Sequence, residues 1–281
     1  MSVRYHPPLH VTCALARRIE RAEIDFCAEA GAIGARSGLA SLDVGGGRAL
    51  FGVAGSPLNK MLGLGVGASV SEADLDAVEA FYAAHKAPAH IELCPLAASD
   101  VAPRLSARRF VLQGFENELA RALSADVAPL SPLVAGLRVE RTTPETDGLW
   151  VQVVADGFAA AGAAAPAAPE AISHIRSVMR QFCHPAIARY LVWADRVAAG
   201  GGATFVRDSV LGIFGTATLP RFRRRGVQTA LVGQALAEAA GHADLAIATT
   251  EPGSTSQRTF ERLGFGLVYT RAILVKQFPS A

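Results

Sequence analysis

The sequence predicts an α/β protein made of two tandem domains, and three observations support that fold class. The chain has 281 residues, of which 51% are hydrophobic and 19% charged, enough for packed cores. Helical and strand periodicities alternate along it. The order of predicted elements in the first half recurs in the second at an offset of 155 residues, as between Phe110 and Phe265. The alternative is a single fold whose spacing is coincidental.

Periodicity and turn residues define the elements of the first half. Charged residues are interleaved with Leu15, Ile19 and Phe26 at helical spacing. Ser71 and Asp74 are typical of a capped helix start. Predicted helices cover 12–30, 71–85 and 101–109, and predicted strands cover 49–53, 60–66, 89–93 and a terminal strand pair at 110–120.

The second half begins after a segment that suits a linker. Residues 125–136 carry two prolines and no cation, so the predicted domains cover 1–124 and 137–281. Glycines 200–202 inside a predicted strand indicate a bulge or a close backbone approach. The further predicted elements are a strand at 137–141, helices at 144–158 and 170–182 around a loop or weak helix at 159–169, and an antiparallel meander at 188–194, 197–206 and 210–219 with turns at 195–196 and 208–209.

The stretch 210–240 reads as a buried strand, a basic loop and a helix. Pro220 ends the strand, and the arginines at 221 and 223–225 precede Gly226, which opens the helix. The first turn of that helix contains no acidic residue. Its first N–H groups lack intrahelical partners, and the helix dipole adds partial positive charge there. This arrangement predicts a phosphate or pyrophosphate site.

The loop also carries a family resemblance. Arg223-Arg224-Arg225-Gly226-Val227-Gln228 resembles the R-x-x-G-x-(G/A/Q) pyrophosphate loop of the GNAT superfamily of N-acyltransferases, and Phe260-Glu261-Arg262-Leu263-Gly264-Phe265 resembles that family's Y-x-x-x-G-F. The resemblance covers residues 137–278. It implies two tandem GNAT-like domains with mixed sheets and helices on both faces, of which the second uses acetyl-CoA as co-substrate.

The first half differs from the second at the residues that correspond to the basic loop and the helix start. Val70 and Ser71 stand where Arg225 and Gly226 stand in the second half, and acidic residues follow at 72 and 74. Acidic residues in a first helical turn stabilise the helix but repel a pyrophosphate. The first domain is therefore expected to be a degenerate GNAT-like domain with a structural role, or one wall of the substrate cleft.

The resemblance implies which residues hold acetyl-CoA. The strand end at Thr218 and Leu219 would lie along the pantetheine and donate to the acetyl carbonyl. Ser254 would substitute for an asparagine that the family commonly has at Gly253, and Phe260 occupies a position where the family often has tyrosine. The main-chain N–H groups of Arg225, Gly226, Gln228, Thr229 and Ala230 would hold the pyrophosphate, and the cofactor site would also include Arg223, Arg224 and Val227.

Candidate catalytic residues follow from acyl-transfer chemistry, which needs a base for the amine and an acid for the thiolate. Phe260 has no hydroxyl, so Ser256, four residues earlier on the same helix face, is the candidate acid, unless water serves or no acid is needed. Glu251 follows a predicted strand at 245–250 and is the candidate base, with an exposed loop glutamate as the alternative reading. By the same resemblance, the predicted helix 170–182 lies on the acceptor side. His174 on this helix is expected to be structural or at the surface. Tyr190 and Trp193 are expected to pack within their strand, with a place in the acceptor pocket as the alternative.

The predicted function is transfer of an acetyl group from acetyl-CoA to an amine, on a small molecule or a peptide, by direct attack on the thioester. The alternative is a CoA-binding or interaction protein in which Phe260 marks lost catalysis. Nucleic-acid binding is disfavoured, because the net charge is only +2 and aromatic residues do not interleave with the basic ones beyond Phe222.

Composition sets further expectations. The four cysteines have no C-x-x-C spacing, so we expect buried thiols and neither a metal site nor a disulfide framework. The first ten residues lack an apolar signal region, and the uncharged stretch 157–169 is too short to span a membrane. A cytoplasmic protein is expected, as a monomer or a homodimer.

Overall fold

The computed structural model describes residues 9–35, 38–123, 136–161 and 168–279. Most of the predicted linker and part of the predicted loop at 159–169 lie outside these ranges. The helices are α1 Cys13–Ala32, α2 Glu72–Ala84, α3 Val101–Ala107, α4 Pro144–Ala159, α5 Pro169–Gln181, α6 Val227–Ala239 and α7 Thr255–Arg262. The strands are β1 Ala40–Val44, β2 Gly47–Phe51, β3 Met61–Leu62, β4 Ala89–Leu93, β5 Val111–Ala122, β6 Leu137–Arg141, β7 Ala188–Ala194, β8 Val197–Arg207, β9 Val210–Thr218, β10 Leu245–Thr250 and β11 Gly266–Lys276.

The chain divides into two compact units that do not follow the predicted boundaries. One unit comprises Met1–Arg121 together with Thr249–Ala281, and the other comprises Ala122–Ala248. We call them the split unit and the central unit. The predicted second domain, 137–281, is therefore divided between them. The reason is strand pairing, because β11 hydrogen-bonds to β4 and β5 of the split unit.

The sheet of the split unit is mixed. β1, β2 and β3 pair antiparallel in succession, β3 pairs parallel to β4, and β11 lies antiparallel between β4 and β5. The parallel pair is connected through α2, as a parallel connection requires a crossover. β1 and its hairpin with β2 were not predicted, and the predicted strand pair at 110–120 is one continuous strand, β5.

Helices cover both faces of this sheet, and the two faces differ in polarity. Ile91 of β4 belongs to an apolar cluster with α2 and α3 that includes Leu75 and Leu105. The adjacent residue, Glu92, points to the opposite face. There its carboxylate and that of Glu23 on α1 both accept hydrogen bonds from Lys60, at 2.9 and 2.8 Å.

A buried arginine joins β11 to this polar layer. Arg271 is fully buried. Its guanidinium lies 2.9 Å from a carboxylate oxygen of Glu20, 2.5 Å from Glu23, 3.2 Å from Glu92 and 2.9 Å from Glu118. Four carboxylates from α1, β4 and β5 therefore converge on one cation, which fixes the position of β11 in the split unit.

The strands of the central unit also pair in both senses. β6, β7, β8 and β9 form an antiparallel series, and β9 pairs parallel to β10 through the α6 crossover. The predicted meander is thus confirmed. Its hairpin turns use the left-handed conformation, with φ of 55° at Asp195 and of 48° and 61° at Asp208 and Ser209.

The predicted glycine irregularity is also confirmed. A Cβ on Gly201 would lie 2.8 Å from the Tyr190 carbonyl and 3.0 Å from Val154 of α4, whereas one on Gly202 would meet Leu231 of α6 at 3.0 Å. Successive residues of a strand face opposite sides, so α4 and α6 cover opposite faces of the sheet. The glycines allow both helices to approach closely, and β8 is bulged against both of its neighbours.

The repeat is visible in the element boundaries. α2 and α6 begin at residues 72 and 227, and β5 and β11 begin at residues 111 and 266, so each pair differs by 155 positions. The α/β fold class with helices on both faces is confirmed. The order of elements repeats, although β11 joins the sheet of the first repeat.

The structure shows where the cysteines lie and whether any described helix could span a membrane. Cys27 and Cys94 are buried, and burial raises the pKa of the Cys94 thiol to about 12, but Cys13 is exposed, contrary to expectation. It lies in the first turn of α1 and faces outward. In the described ranges, no helix is both long and apolar enough to cross a membrane.

Candidate functional site

The connection from β9 to α6 forms the predicted anion-binding loop. β9 ends at Thr218, a single 3-10 turn covers Pro220–Phe222, and Gly226 is the N-cap of α6. Gly226 has φ 81° and ψ 12°, a left-handed conformation that glycine adopts without steric cost. The helix that follows is held by Val227 and Leu231, both buried. A left-handed glycine and a buried apolar face thus set the direction of the loop.

The arginines of the loop have different environments. Arg223 donates to the carbonyl of Ala160 at the C-terminal end of α4, at 2.9 Å. The guanidiniums of Arg221 and Arg225 lie 5.0 and 5.4 Å from the ring centre of Phe222.

Arg224 differs from its neighbours. It is exposed, and it has φ 62°, which is uncommon for a residue with a side chain. Among the described residues, no carboxylate forms an ion pair with it. Arg224 therefore presents a cation beside the helix start, and its backbone strain is the kind of feature that accumulates at binding sites.

The start of α6 leaves N–H groups available to a ligand. The first intrahelical bond runs from the Ala230 N–H to the Gly226 carbonyl at 2.9 Å. The N–H groups of Val227 and Thr229 precede that bond and have no intrahelical acceptor. The predicted use of the Ala230 N–H is thus corrected, because it is already engaged. Gln228 directs its side-chain amide to the Thr216 hydroxyl at 3.2 Å, which ties the helix start to β9.

The end of β9 extends beyond its pairing with β10. Within the central unit, the parallel pairs join residues 210–212 to 245–247, whereas β9 continues to Thr218. Polar backbone groups on this edge are therefore left for another partner.

Of the two predicted carbonyl donors, only one is directed toward that edge. The Leu219 N–H donates to the Ala199 carbonyl of β8 at 2.9 Å, so the prediction for Leu219 is corrected. N–H groups of successive residues point to opposite edges of a strand, so the Thr218 N–H faces away from β8. Gly157 of α4 leaves this position accessible, because a Cβ there would approach the Thr218 nitrogen to 3.3 Å.

The remaining predicted site residues belong to the split unit. Ser254 is the N-cap of α7, and its hydroxyl accepts from the Gln257 N–H at 3.1 Å, so it has a structural role. Phe260 is buried and stacks edge-on against Phe265 at 5.0 Å. Ser256 lies one turn before Phe260 on α7. Glu251 is an exposed residue directly after β10, in agreement with the alternative reading of a loop glutamate.

The equivalent helix start of the first repeat is satisfied by its own side chains. Ser71 and Asp74 form a reciprocal capping box at 3.1 and 2.7 Å. Glu72 binds Arg104 and Arg108 at 2.6 and 2.5 Å. The first turn of α2 therefore has both a filled cap and an anion of its own, and it offers no phosphate site.

Residues on the expected acceptor side have mostly structural partners. Tyr190 is buried and donates to Glu238 on α6 at 2.6 Å. Trp193 is half-buried beneath the Arg138 guanidinium, 5.6 Å from the ring centre. His174 is exposed on α5. No group of three or more potential ligands in the described part of the chain could hold a metal ion.

Sequence reasoning missed two separate features of the structure. Gly157 was not singled out, although it allows α4 to pack closely against the end of β9. The polar layer around Arg271 was also missed. Its signal in the sequence was the charge at positions 92, 116, 118 and 271, all of which lie inside strands.

Comparison with known proteins supports the family assignment of the loop. Residues 162–265 match the model of the Acetyltransferase (GNAT) family. This segment contains the β9–α6 loop, α7 and the Gly-Phe pair at 264–265. The match thus includes both motifs on which the resemblance to this family was based. No curated protein sequence matches the chain.

Solved structures share the fold over nearly the whole chain. A GCN5-related N-acetyltransferase from Kribbella flavida is 20% identical with a TM-score of 0.67, over 94% of this chain and 96% of that one. A functionally unknown conserved protein from Staphylococcus epidermidis is 11% identical with a TM-score of 0.61, over 85% and 93%. A tandem GNAT protein from the clavulanic acid biosynthesis pathway is 15% identical with a TM-score of 0.57, over 98% of both chains. These similarities extend the fold to both repeats.

Proposed function

We propose that this chain, part of which matches the GNAT acetyltransferase family, transfers an acetyl group from acetyl-CoA to an amine of a small molecule or a peptide. The observation that carries the proposal is the β9–α6 loop. There a left-handed Gly226, the N–H groups of the first turn of α6 and Arg224, which pairs with no carboxylate of the described residues, occur together. Each of these features favours a bound oxyanion, and the pyrophosphate of CoA supplies one.

The proposed reaction is a direct transfer with no covalent intermediate on the protein. The amine nitrogen attacks the thioester carbonyl, the new C–N bond forms, the C–S bond breaks, and the amine proton leaves while the CoA thiolate gains one. The Thr218 N–H, directed away from β8, is the donor we assign to the carbonyl oxygen as its charge develops. Holding both reactants in place supplies much of the remaining acceleration.

The candidate proton carriers are Glu251 for the amine and Ser256 or water for the thiolate. An exposed carboxylate is a weak base toward an ammonium ion, so we expect a rate that rises with pH as the free amine becomes available. Glu251→Gln tests this role. A base at Glu251 predicts a rate loss of about 10²–10⁴-fold with unchanged acetyl-CoA affinity.

A CoA-binding protein without catalysis is the second candidate. The observation that favours it is Phe260, which is buried and carries no hydroxyl at the position of the expected acid. Release of free CoA thiol in the presence of an amine panel separates the two functions, because a binding protein retains the thioester.

The first experiment is a calorimetric titration of the full chain with acetyl-CoA. Gly226→Glu places a carboxylate at the proposed pyrophosphate site and is expected to abolish binding. Gly241→Glu is the matched control, since Gly241 follows the other end of α6, has a similar φ of 80° and has open space around it. Equal binding by the two variants, or no binding by the unmodified protein, would refute the proposal.

A further inference from the structure

A pocket of about 640 Å³ lies within the split unit, remote in sequence from the β9–α6 loop. The first half of α1 forms one wall, and the β1–β2 hairpin and the segment after β3 form the others. Four guanidiniums line it, those of Arg17, Arg18, Arg21 and Arg48. A pocket with this many cations is unusual in a chain whose net charge is only +2.

Glycines shape the pocket and set the position of one arginine. The β1–β2 hairpin turns through Gly45 and Gly46, whose φ values are 56° and 80°, the conformation of a two-residue turn that strongly prefers glycine. Across the pocket, a Cβ on Gly67 would lie 3.0 Å from Cδ of Arg17 and 3.2 Å from its Nε. The side chain of Arg17 therefore lies along backbone that only glycine leaves open.

The positive charge of the pocket is only partly compensated. Arg21 pairs with Asp25 at 3.2 Å, and Arg48 pairs with Asp43 at 2.5 Å. No carboxylate among the described residues pairs with Arg17. Arg17 and Arg21 are four positions apart on one helix and therefore repel each other, which a bound anion would relieve.

Two carboxylates line the pocket, that of Asp43, which is paired with Arg48, and that of Glu20. Glu20 is buried and accepts hydrogen bonds from the Tyr269 hydroxyl at 2.8 Å, from Arg271 at 2.9 Å and from the Gly63 N–H at 2.9 Å. Its charge is used by donors within the protein. The open side of the pocket consequently presents guanidinium groups together with the Asp43 carboxylate that is paired with Arg48.

We propose that this pocket binds a small polyanion, carrying carboxylate or phosphate groups, through Arg17 with Arg18, Arg21 and Arg48. Guanidinium groups recognise both kinds of oxyanion through paired hydrogen bonds. The site uses α1 and the β1–β2 hairpin, whereas the start of α2 is filled by its own capping box. The first repeat thus has a ligand site of its own, and the inference does not depend on acetyl transfer by the GNAT domain.

The test is calorimetry of the full chain at low salt with two probes, citrate and inorganic pyrophosphate. Arg17→Gln removes the unpaired cation and should weaken binding by about tenfold to a hundredfold, the usual value of a hydrogen bond to a charged group. Asp43→Asn removes the carboxylate that competes for Arg48 and should tighten binding. A general loss of structure would weaken binding in both variants, so it could not produce weaker binding in one and tighter binding in the other. A preference for one probe identifies whether the ligand carries carboxylates or phosphates.

Two control variants separate this pocket from other cationic sites. Arg196→Gln changes an exposed arginine in the β7–β8 turn and should leave both affinities unchanged. Arg224→Gln removes the loop cation of the central unit and should leave citrate binding intact, even where acetyl-CoA binding fails. The proposal is overturned if neither probe binds with a dissociation constant below about 1 mM, or if Arg17→Gln binds as well as Arg196→Gln.

Discussion

Replacing Arg271 by methionine is the most direct test of how the C-terminal segment is held. The guanidinium is fully buried, and its loss would leave the carboxylates of Glu20, Glu23, Glu92 and Glu118 without their shared cation. Lys60 would still pair with two of them, Glu23 and Glu92. The other two would be left buried with hydroxyl or amide partners alone.

The expected cost follows from this geometry. Breaking a buried ion pair by removing one partner costs about 3–5 kcal/mol, because an uncompensated charge remains. At about 2–4 °C per kcal/mol for a unit of this size, the midpoint of thermal unfolding should fall by roughly 6–20 °C. Chemical unfolding followed by circular dichroism measures the free energy directly. Arg262→Met is the matched control, since it changes an exposed arginine of α7 and should shift stability by no more than about 0.5 kcal/mol.

A second substitution distinguishes charge from packing. Burial raises the pKa of Glu118 well above its ordinary range while Arg271 lowers it, so the carboxylate depends on that cation. Glu118→Gln should therefore destabilise the unmodified protein but partly restore Arg271→Met, a reversal that a double-mutant cycle detects. If Arg271→Met and Arg262→Met were equally stable, Arg271 would not be buried among carboxylates, and the placement of β11 between β4 and β5 would be refuted.

Two further predictions concern pH and packing. Burial raises the pKa of Glu116 to about 7, so the folded chain keeps a proton that the unfolded chain has lost, and stability should fall as pH rises from about 4.5 to 7. Urea unfolding should show that the free energy of unfolding depends less on pH in Glu116→Gln than in the unmodified protein, whereas the exposed Glu170→Gln should keep the original dependence. The same pH dependence in both variants would contradict the assignment. Gly201→Ala places a Cβ 2.8 Å from the Tyr190 carbonyl and should lower the free energy of unfolding by about 1–3 kcal/mol. Gly266→Ala in β11 meets open space and should lower it much less. Equal losses of stability in the two variants would count against the close approach of α4.

Local features of the fold could be predicted because neighbouring residues specify them. The capped helix start at Ser71, the turn at 208–209 and the helix start at Gly226 all depend on residues a few positions apart. The repeat was visible for the same reason, since each element keeps its own periodicity. β3 is only two residues long and β1 alternates weakly in burial, so their bounds were poorly predicted or missed.

The candidate site was predicted only in part. The loop residues were proposed because Arg and Gly at this spacing before a helix favour a bound anion. The sequence could not show which N–H groups were already engaged. Leu219 donates to Ala199 and Ala230 to Gly226, and the first of these depends on the register between two strands. Ser254 was likewise a plausible ligand residue until its position at the start of α7 gave it a capping role.

By itself, the sequence determined the element types, their repeated order and the chemistry of the β9–α6 loop, because those properties depend on local periodicity and on residue type. The tertiary structure alone decided that β11 pairs with β4 and β5, that Arg271 gathers four carboxylates, and that the arginines of α1 share a pocket with a glycine hairpin. Strand pairing and burial join residues that are far apart in the chain. Their free energies depend on which distant partners meet, and no local pattern records that choice.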